Sequence, residues 1–119
     1  LEGGIDLSIS RSSTIGQFKN QYGTRTVFHP KDYECSGQDI EWSNIEEWQR
    51  FAFQALNGEG PLTKALEWNA GVYFFYAGLS SDINQGIDKA RDIIKSRLAL
   101  KKLEKLIHWK EENINYSFF

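Results

Sequence analysis

Four side chains able to bind a metal or act as nucleophile and base fall within seven residues: His29, Asp32, Glu34 and Cys35. Imidazole, carboxylate and thiolate are all ordinary ligands for a zinc-like ion. A thiol beside an imidazole is also the pairing that nucleophilic catalysis uses. The spacing argues against both. The only other histidine, His108, lies far along the chain, and there is no second cysteine. A structural zinc site built on cysteines is therefore excluded, and nothing around Cys35 has the local pattern of a cysteine hydrolase. The cluster reads as a polar loop after Pro30. Two carboxylate pairs, Asp39 with Glu41 and Glu46 with Glu47, have the chemistry for acid–base work. They flank or occupy the first turn of a predicted helix, where acids favour the macrodipole. The ten glycines form no phosphate-cradling loop. The expectation is a protein without catalytic residues, metal or cofactor.

A second constellation is basic. Lys101, Lys102, Lys105 and Trp109 fall within about 100° of one another on a helical wheel. Lysines with one aromatic can hold phosphates and stack a base. No arginine joins them, so bidentate readout is missing, and lysines late in a helix also complement its dipole.

These residues need elements to position them. Residues 5–9 alternate apolar and polar, which predicts a half-buried strand. A second strand is predicted from Thr24 to Phe28, ending before Pro30. The Ser/Gly/Asn/Gln-rich stretch 12–23 between them reads as a long loop or a third short strand. Ser43 with Glu46 predicts a capping box, followed by a helix through Ile45, Trp48, Phe51, Ala52, Ala55 and Leu56 that ends at Asn57-Gly58. A second helix begins near Leu62 and closes at Gly78. Its apolar run 72–76 marks it as the buried central element, with a buried strand as the rival. Gly71 and Gly86, inside helical stretches, suggest close backbone packing.

The third helix is predicted at about 82–112. Its first half carries an apolar stripe of Ile83, Ile87, Ala90, Ile94 and Leu98. After residue 98 that stripe becomes Lys101, Lys105, His108 and Glu112. The apolar side moves round by roughly 140–150° to Leu100, Leu103, Ile107 and Ile114, with Ile93, Leu100 and Ile107 in a seven-residue rhythm. Two arrangements fit. A kink near residues 97–99 would let one core be served twice, or the second half binds another chain.

The whole chain has 119 residues, a net charge of −2 and a pI near 5.7. That size suits a single domain over 1–119, and no overall field draws it to nucleic acid. Charge is nonetheless segregated. Residues 1–87 hold six basic against eleven acidic side chains, and 88–119 hold eight against five. Seventeen aromatics accompany only two valines, Val27 and Val72, which argues against all-β and doubly wound folds. The lone cysteine points to the cytoplasm, and no apolar run approaches the roughly 20 residues needed to span a bilayer.

The predicted fold class is α+β: a small N-terminal antiparallel β element followed by three helices, the last one long. The predicted function is a non-enzymatic adaptor, immunity or inhibitor-type module that occludes a macromolecular partner, either another protein or a second copy of itself. Its expected contact residues are Trp42, Leu100, Leu103, Ile107, Trp109, Tyr116 and Phe119, because exposed aromatics supply large contact area at low entropic cost. The alternative is nucleic-acid binding through Lys101, Lys102, Lys105 and Trp109.

Overall fold

The structure, a computed structural model, describes residues 6–19 and 21–114. Strands β1 (Ser13–Lys19) and β2 (Tyr22–Phe28) form a two-stranded antiparallel hairpin. Its register runs from Ser13 opposite Phe28 to Lys19 opposite Tyr22. A short 3-10 turn, Pro30–Tyr33, follows. Four helices complete the chain: α1 (Ile45–Leu56), α2 (Thr63–Tyr76), α3 (Ile83–Lys95) and α4 (Leu98–Asn113). The α+β class and the order of elements agree with the sequence reading, but three details are corrected: the hairpin, the long helix and the cap of α1.

The first correction concerns the hairpin. Its first strand is the stretch read as loop or third strand. The alternating segment pairs with no strand among the described residues, and Ile5 lies outside them. Leu7 and Ile9 do turn inward, and Ile9 is buried. The alternation therefore reports burial correctly while the backbone bends at residues 9–11 and leaves the ladder.

The second correction concerns the long helix. It breaks at Ser96 and Arg97, and Arg97 adopts the left-handed conformation at φ 61°. A non-glycine residue there costs on the order of 1–2 kcal/mol. The displaced apolar stripe supplies the compensation. Ile83, Ile87, Ala90 and Ile94 are buried on α3, and Leu100 is buried on α4 after the turn. The break is the kink that the sequence offered near residues 97–99. Leu98 leaves the first stripe and is exposed.

Capping follows local chemistry. α1 starts one residue later than the capping-box reading, because Asn44 rather than Ser43 accepts the Glu47 N–H, at 2.8 Å. Ser43 instead hydrogen-bonds the Glu47 carboxylate. Asp82 caps α3 by accepting from the Gln85 N–H. Gly58, at φ 77°, ends α1, and the Glu59 N–H reaches back to the Gln54 carbonyl at 2.8 Å.

The core gathers Ile9, Cys35, Trp68, Val72, Ile83 and Ile87, with Ile15 and Phe28 of the hairpin and Tyr33 packed against it. At its centre α2 and α3 touch through glycines. A Cβ on Gly86 would stand 2.2 Å from the Gly71 carbonyl oxygen, and one on Gly71 would stand 2.4 Å from Ile87 Cγ1. No helix among the described residues is long and apolar enough to cross a membrane.

Gly86→Ala is expected to reach or exceed the upper end of the roughly 1–3 kcal/mol that overpacking costs, because the obstructing atom is backbone. Gly16→Ala, with nothing within 4 Å of the added carbon, should change stability by less than about 1 kcal/mol. Urea melts of the two variants against the parent chain check the contrast.

Candidate functional site

Among the described residues, a groove of about 730 Å³ lies between the N-terminal segment, residues 38–41, α1 and α2. α1 contributes Trp48, Ala52 and Ala55, and α2 contributes Ala65, Leu66 and Asn69. Small alanines on facing helices leave the space open, while half-exposed Trp48 forms part of the wall.

Two side chains hold the N-terminal segment in place. Asn69 accepts the Leu7 N–H at 2.7 Å, and its amide nitrogen donates to the Leu7 carbonyl at 2.9 Å. The same nitrogen also donates to the Ala65 carbonyl one turn back. Asn69 thus offers Leu7 the donor and acceptor that a neighbouring strand would. Asp39 accepts from the Ile9 N–H at 3.0 Å and from the Ser8 and Ser10 hydroxyls. Burial alone would raise its carboxyl. The hydrogen bonds from Ser8, Ile9 and Ser10, with the charge of Arg11, outweigh that and hold it below the ordinary aspartate value.

The His29–Cys35 cluster is not assembled for chemistry. His29 Nδ1 accepts the Lys31 N–H at 3.1 Å and caps the 3-10 turn. Cys35 is fully buried in the core, with its sulfur 4.0 Å from Arg91 Nη2. Burial pushes the thiol up, although Arg91 pulls the other way, so it is a poor nucleophile at neutral pH. Arg91 is itself committed to Glu67 at 3.0 Å, tying α3 to α2. Among the described residues no three His, Cys, Asp or Glu side chains are placed to hold a metal.

The expected contact residues scatter. Leu100 is buried at 5% exposure and serves the chain's own core, which corrects its reading as a contact residue. Leu103 is half-buried, and Ile107 is exposed. Trp42 and Trp109 are exposed at 65% and 54%. Tyr116 and Phe119 lie outside the described residues. Lys101, Lys102 and Lys105 do share one face of α4, around a shallow hollow with Leu98, Glu104 and His108. Asp39 was visible in the sequence only as one of a carboxylate pair. Asn69 was missed, and its signal was a lone amide in an otherwise apolar stretch of α2.

No protein-family model matches the chain. Curated relatives do. The chain is 29% identical over 111 residues to an anthranilate phosphoribosyltransferase of Methanobrevibacter smithii, covering 89% of this chain and 33% of that protein. Against the enzyme of the same name from a Janthinobacterium species it is 28% identical over 106 residues, covering 86% and 31%. Against that of Acetivibrio thermocellus it is 24% identical over 121 residues, covering 98% and 35%. The chain spans about a third of the length of the curated relatives it matches. This similarity overturns the expectation of a non-enzymatic occluding module. What the chain resembles, over nearly all its length, is a stretch of an enzyme.

The two tethers give separable predictions. Asn69→Ala leaves the Leu7 amide and carbonyl without their partner and should cost about 1–3 kcal/mol, read by denaturant melts and faster exchange of the Leu7 amide. A carboxyl held below its ordinary value contributes stability that is complete above the ordinary aspartate range and lost as pH falls through its folded value. Stability should therefore drop as pH falls below the ordinary aspartate range, and Asp39→Asn should flatten that part of the profile in melts taken across the range.

Proposed function

We propose that this chain is one part of a phosphoribosyl-transferring enzyme of the kind it resembles, and that its transfer activity belongs to the longer assembly. The observation that carries this reading is the shape of the match, with most of this chain aligned to about a third of several enzymes sharing one name.

The electrostatics of the groove support a division of labour. A phosphorylated sugar is held by cations, by backbone N–H groups at a helix N-terminus or by a glycine-rich loop. The groove offers Arg11 against Asp6, Asp39 and Glu41, and the sequence has no glycine-rich phosphate loop. Its lining is therefore net negative and suits a supporting wall better than a phosphate cradle. In this reading α2 and α3 form a rigid base, Asn69 and Asp39 fix the segment 6–10 against it, and the phosphate-binding groups come from the rest of the polypeptide.

A chimera tests this directly. The 119 residues would replace the matched third of the Methanobrevibacter smithii enzyme, and transfer of a phosphoribosyl group to anthranilate would be followed by loss of anthranilate fluorescence. The chimera is expected to retain measurable transfer, and the 119-residue chain alone to show none. A chimera that melts cooperatively and has no activity would sink the proposal.

A further inference from the structure

The break between α3 and α4 forms against the local preferences of the residues in it. Lys95, Ser96, Arg97 and Leu98 include neither glycine nor proline, and the run Leu98-Ala99-Leu100-Lys101-Lys102-Leu103 consists of strong helix formers. Arg97 nevertheless takes the left-handed conformation, at φ 61°. No side chain caps the start of α4. In a continuous helix its leading N–H groups would have the carbonyls of residues 94–96 as partners. Leu98, which continues the buried stripe of Ile83, Ile87, Ala90 and Ile94, is turned out to 57% exposure. All three features are undone if Arg97 becomes right-handed and α3 runs straight into α4.

Few residues hold the break closed. α4 lies against α1 and α3, and within it Leu100 is buried while Ala99 and Leu103 are half-buried. Every residue from 104 to 113 is exposed, so the grip of α4 on its own chain is confined to its first turn and a half. In a straight helix Leu100 stands about 140–150° round from the buried face of α3, and it cannot keep its place in its own core. A second copy that has opened in the same way leaves that same place open.

We propose that this chain exchanges α4 with a second copy of itself. α3 and α4 join into one helix over 83–113, and the Leu100 of each copy fills the place that the other copy's Leu100 has left. The structure fixes the occupant, because the surface that receives α4 is the one α4 already fits in the closed chain. A short hinge under strain invites such an exchange, which remakes the contacts of α4 and removes the strain in both copies. The exchange does not depend on the transfer activity.

The backbone preference at position 97 tests it. Glycine adopts the left-handed conformation freely and weakens a helix interior, whereas alanine is as strained there as arginine and favours the helix. Both remove the arginine side chain. Refolded from urea and sized by light scattering on a column, the 119-residue chain is expected to give a dimer whose share grows with protein concentration at refolding. Arg97→Gly should weaken that dimer by at least about a hundredfold, since each dimer has two hinges. Arg97→Ala should hold it at the parent's level or above. A dimer joined through another surface, with both breaks intact, would respond to the two substitutions alike, and that result would overturn the exchange. So would a parent chain that stays monomeric at every concentration. In melts of the monomers Arg97→Gly should be more stable than Arg97→Ala; the reverse order would remove the strain at the hinge and the proposal with it.

Discussion

The crossing of α2 and α3 through Gly71 and Gly86 is the contact on which the other arrangements depend. With no Cβ on either residue, the Gly71 carbonyl approaches to a distance that any side chain at Gly86 would forbid. That closeness places Ile87 against Gly71 and lets Trp68, Val72, Ile83 and Ile87 share one core. The Arg91–Glu67 pair fastens the same two helices beside the buried Cys35. Because Asn69 lies on α2 between Trp68 and Gly71, the tether to Leu7 is only as firm as this helix pair.

From that base the molecule builds outward with decreasing self-sufficiency. The N-terminal segment is held by an asparagine and an aspartate in place of a neighbouring strand, an arrangement with few main-chain hydrogen bonds of its own. The hairpin packs Ile15 and Phe28 onto the core while most of its length stays exposed, and an isolated two-stranded ribbon is marginal in water. α4 buries Leu100 but exposes Leu106 and Trp109 among its lysines.

The same physical picture explains why no constellation of residues pointed to chemistry. The His29–Cys35 cluster resolved into a turn cap and a core thiol. The lysines of α4 mark a shallow exposed face, and the groove is net negative. Motif reasoning looks for a complete set of groups at a fixed spacing. No such set is assembled among the described residues, and the similarity to enzymes became visible only by comparing the whole stretch.

What the sequence determined by itself was local. The glycine pair, the Asn57-Gly58 stop and the change of apolar face after residue 98 all follow from residues within a few helical turns of each other, where period and capping chemistry act. The burial of Leu7 and Ile9 was legible for the same reason. The tertiary structure alone decided which stretch pairs with β2, how the stripe mismatch is relieved at Arg97, and that Asn69 and Asp39 bind the N-terminal segment across 62 and 30 residues of chain. A polar side chain carries no mark of which distant backbone it will satisfy. That choice belongs to the packing of α2 on α3, which brings the partners within reach.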